Sequence, residues 1–172
     1  MPHMYNYELV RSARAQAQVF DTAKRPDEDG LKDKVREDAA VAWQYFDRLF
    51  ERHDHLVTGT AWEIGGNIEG WPFLTMWDMG SFFSACVVAH KAGLIDQKAF
   101  EAPVMAGLEA LDRHRFKTSK LNLPPVDFPL GRMKSELVGY DSADTGRLLN
   151  CLAILDRYTN GVFPVEDLVK SW

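Results

Sequence analysis

Carboxylates and tryptophans alternate within one short segment of the sequence, between residues 62 and 78. Its members are three tryptophans and three acids: Trp62, Glu63, Glu69, Trp71, Trp77 and Asp78. Hydrolysis of a glycosidic bond needs two carboxyl groups across that bond, one acting as the acid and the other as base or nucleophile. Sugar rings have flat apolar faces that suit exposed aromatic side chains. The segment therefore indicates chemistry on, or binding of, a carbohydrate.

Three carboxylates are the candidate catalytic groups: Asp78, Glu63 and Asp144. Asp78 stands where a helix is predicted to begin, and a helix N-terminus both orders a carboxylate and favours its ionised form. Asp78 is thus the expected base or nucleophile, and Glu63 beside Trp62, in a more apolar setting, is the expected acid. Asp144 would support this pair. The competing interpretation is that Asp78 and Asp144 are helix N-caps, each contributing about 1 kcal/mol.

Four aromatic side chains are the candidate sugar-binding groups: Trp62, Trp71, Trp77 and Tyr140. Three of these are tryptophans interleaved with acids and glycines, a composition that would be unusual for a mere connector between helices. For Trp77, packing in the core is the competing interpretation, because large aromatic side chains are mostly buried.

The elements that must position these residues are predicted to be nearly all helical. Hydrophobic periodicity places helices over 5–24, 31–52, 78–92, 97–114 and 141–158, with a short one after Pro164. Two long loops, 53–74 and 117–140, interrupt them, and the first has room for a short hairpin. We therefore expect a single domain over residues 1–172, all-α, with about six helices paired by turns.

Both long loops enter the following helix through one repeated pattern. Asp78-Met79-Gly80 and Asp144-Thr145-Gly146 are each followed by one polar, two apolar, one polar and one small residue. A pattern repeated in this way is expected of a repeated helical-hairpin unit.

The motifs that open these helices resemble those of a known family. The segments TMWDMGSFFSACVVAHKAGLI and GYDSADTGRLLNCLAIL, with the terminal SW, are similar to the bacterial family called domain of unknown function 3131, from about Ala42 to Trp172. That family resembles glucoamylase-like α/α toroids, in which inner helices direct their loop-bearing ends at a carbohydrate cleft. Its members often belong to envelope polysaccharide systems. The resemblance implies paired helical hairpins in an α/α-toroid-like arc.

Two functions from different classes agree with these observations. The first is a glycoside hydrolase, or a hydrolase-like domain, acting on a bacterial glucan or exopolysaccharide. The second is a non-catalytic glycan-binding or assembly module, which the short chain favours because it supplies about half the helices of a closed toroid. An open arc exposes apolar helix flanks that need a cover. A two-fold partner would cover them, so a homodimer is expected.

Charge and hydropathy exclude other classes of partner. The net charge is -5 and no run of Lys and Arg forms a basic patch, so a nucleic-acid partner is not expected. The longest apolar stretch, around 81–89, is too short to span a membrane. The N-terminus lacks an apolar signal core, which predicts a cytoplasmic location for the chain as given. A periplasmic or envelope location is expected instead if the chain is a segment of a longer exported protein.

Other reactive side chains give weaker patterns. Cys86 and Cys151 fall within apolar helical pattern and are expected to be packed thiols. Cys86 and His90 share a helix face, but no third group nearby would orient a catalytic dyad. The triplet 53–55, His-Asp-His, has no further ligand at a suitable spacing, so neither a metal nor a cofactor is expected.

Overall fold

The structure is a computed structural model that describes residues 29–49, 55–115, 122–130 and 139–172. Five helices and four short strands lie within these residues. The helices are α1 (Asp29–Asp47), α2 (Met76–Lys91), α3 (Gln97–Arg113), α4 (Ser142–Tyr158) and α5 (Val165–Lys170). The strands are β1 (Ala61–Ile64), β2 (Asn67–Gly70), β3 (Phe73–Thr75) and β4 (Asp127–Pro129).

The prediction of an all-α fold is wrong, because both long loops contribute strands. β1 and β2 form an antiparallel hairpin in which Ile64 pairs with Asn67 around a two-residue turn. Gly65 and Gly66 in that turn have φ of 59° and 83°. Positive φ at both central positions matches the twist of the flanking strands, and glycine adopts it without steric cost. The hairpin for which the sequence has room is therefore present.

The second sheet joins the two long loops to each other. β3 and β4 pair antiparallel, with Thr75 opposite Asp127. The architecture is thus mixed α and β, with five helices in the described residues, and the expected arc of about six helices is not observed. The helix predicted over 5–24 lies outside the described residues.

All five helices predicted within the described residues are present, with ends that differ by a few residues. α1 is shorter than predicted, since it ends at Asp47 rather than near residue 52. α2 is closed by Gly93, which has φ of 68°, and the Leu94 N–H reaches the Ala89 carbonyl at 2.9 Å. Glycine at this left-handed position ends the helix without steric cost.

The parallel pair of α2 and α4 forms the centre of the fold. A Cβ at Gly80 would lie 3.3 Å from Leu148 Cα, so the two backbones approach closely there. Near the opposite end, His90 Nδ1 lies 2.9 Å from the Tyr158 hydroxyl. Both contacts join residues 68 positions apart, so the two helices run in the same direction. Their N-termini, which carry the repeated Asp-x-Gly pattern, consequently share one end of the molecule.

The core lies between this pair and α3. Its largest fully buried side chains on the two central helices are Met76, Met79, Phe82, Phe83, Leu148, Leu152 and Leu155. Cys86 and Cys151 are free and buried, which confirms that they are packed thiols. Burial raises the pKa of Cys86 to about 12, so its thiolate is strongly disfavoured. No helix within the described parts of the chain combines the length and hydropathy needed to cross a membrane.

Candidate functional site

One face of the β1–β2 hairpin carries two of the predicted sugar-binding tryptophans. Trp62 pairs with Glu69, and the Trp71 N–H continues the ladder by donating to the Thr60 carbonyl at 2.8 Å. Because side chains alternate between the two faces of a strand, Trp62, Glu69 and Trp71 lie on the same face. Diagonal neighbours on such a face are about 7–8 Å apart. We call these three residues the hairpin face.

The two indole rings of the hairpin face are open to solvent. Trp62 is 39% exposed and Trp71 54%. The Trp71 ring has Phe73 as a tilted neighbour, at 5.8 Å between centroids. Single exposed apolar residues are ordinary, but two tryptophans side by side on a short hairpin form an exposed aromatic patch.

The opposite face of the hairpin packs towards α1. Ala61, Glu63 and Ile68 share this face, and they line a cavity of about 200 Å³ together with Trp62, with Tyr45 of α1 and with Arg48, which follows α1. Glu63 is exposed to solvent, although apolar residues, among them Leu49, line the same cavity. Its strand position directs it away from the face that carries Trp62.

The base of the hairpin is anchored by a buried threonine. Thr58 is 2% exposed, its hydroxyl donates to the Thr60 carbonyl at 2.7 Å, and its own carbonyl accepts from the Tyr45 hydroxyl at 2.7 Å. A Cβ at Gly70 would lie 2.5 Å from Thr58 Cγ2, so only glycine allows β2 to approach this closely. The anchor fixes the hairpin face relative to α1.

Asp78 closes a capping box at the start of α2. Thr75 is the N-cap: its hydroxyl accepts from the Asp78 N–H at 3.2 Å. In return, Asp78 Oδ2 accepts from the Thr75 N–H at 3.0 Å and from the Thr75 hydroxyl at 2.9 Å. A Cβ at Gly59 would meet this carboxylate at 2.4 Å, so the chain passes directly over it. The helix-terminal role expected for Asp78 is thus present, although Thr75 holds the cap position.

Trp77 lies at the same helix start and is exposed, so the competing interpretation, packing in the core, is wrong. The ring is 49% exposed, and the Arg147 guanidinium stacks on it with Cζ 4.1 Å from the ring centroid. Arg147 Nη2 also donates to the Ser81 hydroxyl at 3.0 Å, and that hydroxyl donates to the Trp77 carbonyl at 3.0 Å. A cation–π contact of this kind is worth about 0.5–1 kcal/mol at an exposed position.

The start of α4 is built on a different acid from the one predicted. Asp141 is the N-cap, since its Oδ1 accepts from the Asp144 N–H at 2.8 Å. The N-cap role expected for Asp144 is therefore wrong, and within the described ranges its carboxylate has no hydrogen-bonding or ionic partner. Tyr140, immediately before the cap, is partly exposed. We call Trp77, Asp78, Asp144 and Arg147 the helix entrance.

The family of the chain can be stated at this point. Residues 37–172 match the sequence model described as "Protein of unknown function (DUF3131)". The chain belongs to the DUF3131 family. The resemblance predicted from about Ala42 to Trp172 is confirmed, and the matched range holds every candidate site residue. Comparisons with curated proteins and with solved structures gave no match.

In this DUF3131 domain the candidate residues fall into two groups, the hairpin face and the helix entrance. Two candidates belong to neither group: Glu63 lies on the opposite face of the hairpin, and Tyr140 immediately precedes the N-cap of α4. Among the described residues no three His, Cys, Asp or Glu side chains are arranged to hold a metal ion. Of the triplet 53–55, only His55 is described.

Two further residues at or near the helix entrance were not among the candidate site residues. Asp127 is 9% exposed and pairs with Thr75 across the second sheet, which brings a buried acid close to the capping box of α2. Its position between Val126 and Phe128, in an apolar run, was the available signal. Arg147 occupies the place in the second repeat that Ser81 occupies in the first. Arg147 and Ser81 are in contact across the two helices, 66 positions apart in the sequence.

Proposed function

We propose that this DUF3131 domain binds an oligo- or polysaccharide, a bacterial glucan or exopolysaccharide, on the hairpin face. The observation that carries the proposal is the pair of exposed tryptophans, Trp62 and Trp71, on one face of an anchored hairpin. Indole rings offer the apolar faces of sugars a large contact area, while the indole N–H groups remain hydrated. Glu69, between them, offers carboxylate oxygens to sugar hydroxyls.

The anchoring of the hairpin supports the proposal energetically. A surface that is already ordered loses little conformational freedom when a ligand binds. The Thr58–Tyr45 hydrogen bond and the close approach of Gly70 to Thr58 fix the base of the hairpin. At the helix entrance, Arg147 holds the Trp77 ring, which offers a further aromatic surface to a long chain of sugars.

Hydrolysis of the same glycan is the second candidate function, with Asp78, Glu63 and Asp144 as its acids. The specific observation in its favour is the Asp144 carboxylate, which no described residue engages. Asp78 Oδ2 is already occupied by two donors from Thr75, which favours a structural role for that acid. Glu63 lies on the face of the hairpin opposite to the two tryptophans. Binding is therefore the function that the geometry supports best.

Affinity electrophoresis against a panel of bacterial glucans and exopolysaccharides tests the proposal. We expect at least one polymer to retard the full chain, and the Trp62→Ala/Trp71→Ala variant to migrate as it does without polymer. Val162→Ala, which changes an exposed apolar residue far along the chain, serves as the control. If the polymer retarded the double variant as it does the wild type, the assignment of glycan binding to the hairpin face would be contradicted.

A reducing-end assay on the retained polymer separates binding from hydrolysis. Release by the wild type that Asp144→Asn abolishes would establish the second candidate and place Asp144 in its site. Retention without release is the result that the preferred proposal predicts.

We also propose that the domain forms a homodimer through exposed apolar positions of its helices. α1 exposes Val35 and Val41, which a second copy would cover. Light scattering at tens of micromolar protein measures the mass directly. A monomeric mass at that concentration would contradict the dimer without bearing on glycan binding.

A further inference from the structure

A groove of about 410 Å³ lies between α3 and α5, and none of its lining residues belongs to the hairpin face or the helix entrance. α3 contributes a row from Met105 to Asp112, and a second row on α5 and its two flanking residues runs from Pro164 to Ser171. Both rows have the spacing i, i+3, i+4, i+7, so each is one continuous stripe on a helical surface. Seven residues of helix rise about 10 Å, which makes the groove about two helical turns long.

The floor of this groove is apolar. Leu108 and Leu168 form its base, and Pro164 and the exposed Met105 extend it towards one end. Exposed methionine is adaptable, because its unbranched side chain fills irregular gaps against different partners.

The rim of the groove is acidic. Arg115 closes one end, where Nη2 pairs with Asp112 Oδ1 at 2.6 Å and Nη1 donates to the Ser171 hydroxyl at 2.7 Å. Its charge is therefore compensated within the groove. Glu109 and Asp167 remain, and neither forms an ion pair within the described stretches of the chain. The C-terminal end of α3, close to Arg115, adds the negative end of a helix dipole.

We propose that this groove binds a basic amphipathic helix of a partner protein. An apolar floor bounded by two helical stripes is the form of surface into which an amphipathic helix lays its apolar side. Carboxylates on the rim select lysine and arginine on the flanks of that helix and speed its encounter. The homodimer proposed above uses exposed positions of α1, so it leaves this groove open to a partner protein.

A fluorescein-labelled peptide of leucine and lysine, with the leucines on one helical side, is a direct probe. About 18 residues give it enough length for helix formation on binding. Fluorescence anisotropy with the full chain should give saturable binding. We expect Glu109→Gln/Asp167→Asn to weaken it about tenfold and Met105→Ser to weaken it less. Asp33→Asn/Glu37→Gln on α1 removes the same charges elsewhere and should leave the affinity unchanged.

Four outcomes would overturn the proposal. Equal weakening by the two double variants would show attraction to net charge rather than to the groove. Equal binding of a scrambled peptide of the same composition would remove the requirement for an amphipathic helix. If spermidine competed with the peptide, and if its own binding also weakened in Glu109→Gln/Asp167→Asn, the groove would be assigned to small cations. Light scattering that shows a dimer lost in Glu109→Gln/Asp167→Asn would assign it to a second copy.

Discussion

At the scale of single residues, the Asp78 carboxylate has two donors that tie it to the start of α2. Both come from Thr75, and the chain at Gly59 lies against the same carboxylate. A capping box of this kind satisfies N–H groups that the first turn of a helix otherwise leaves unpaired. Any chemical role for Asp78 would have to coexist with this structural one.

Removal of the Thr75 hydroxyl should therefore destabilise the domain. We expect Thr75→Ala to lower the free energy of unfolding by about 1–2 kcal/mol, because the Asp78 N–H loses its acceptor and the carboxylate loses one donor. Thr75→Ser keeps the hydroxyl and should stay within about 0.5 kcal/mol of the wild type. Urea denaturation measures both, and an equal loss in the two variants would show that the hydroxyl contributes nothing.

A second residue-scale prediction concerns His114. Burial, and then the neighbouring Arg113 guanidinium, lower the pKa of His114 below its ordinary value of 6.5, and its ring stacks on Phe128 at 4.8 Å. The unfolded chain therefore takes up a proton at higher pH than the folded chain. The stability that the neutral ring contributes is present above about pH 6.5 and is lost as the pH falls through that value towards the lower pKa of the folded state.

Comparison with a variant that cannot titrate isolates this effect. Between about pH 7.5 and 5.5 the wild type should lose more unfolding free energy than His114→Gln, as measured by urea denaturation at each pH. Parallel curves for the two proteins would contradict the assignment to His114.

Residue-scale roles were only partly predictable, for a definite reason. Asp141 and Asp144 both lie at the start of α4, and aspartate is favourable at either position, as the N-cap or in the first turn. Sequence alone does not fix which of them begins the helix. Trp77 was uncertain in a different way, because its exposure depends on Arg147, which comes from another helix.

At the scale of elements, the close approach of α2 and α4 depends on one glycine of the repeat. A Cβ at Gly80 would lie 3.3 Å from both Leu148 Cα and Cys151 Sγ, and one at Gly146 would meet no described atom within 4 Å. The same substitution at both positions therefore distinguishes two effects. The change in helix propensity applies to both variants, whereas the packing clash applies only to the variant at Gly80.

We expect Gly80→Val to lower the free energy of unfolding by about 1–3 kcal/mol through overpacking. Gly146→Val should be near neutral or slightly stabilising, because valine has the better helix propensity. Urea denaturation of both variants gives the difference. Equal effects at the two positions would contradict the tight helix contact.

Four of the helices were predictable because their apolar periodicity is long and regular. The strands were not, since each has three or four residues, too few for a clear alternation. Thr75 and Asp127 also pair across fifty-two positions of sequence, so no local signal marks their contact. The turn glycines Gly65 and Gly66 were the one local clue to β structure.

At the scale of the whole molecule, family membership was predictable, and the geometry of the two surfaces named in the proposals was not. The motifs that carry the resemblance to DUF3131 are contiguous in sequence, and the match covers residues 37–172. The hairpin face depends on strand register, and the α3–α5 groove joins residues about sixty positions apart. Such surfaces exist only after distant segments have packed, and the glycan and peptide proposals both concern them.

Glycan binding by the hairpin face is the central claim, and isothermal titration calorimetry with the polymer retained in affinity electrophoresis tests it most directly. We predict saturable binding by the full chain and a loss of affinity of at least tenfold, about 1.4 kcal/mol, in Trp62→Ala/Trp71→Ala. Val162→Ala should bind as the wild type does. Equal affinity of the double variant and the wild type, with both folded by circular dichroism, would contradict the claim.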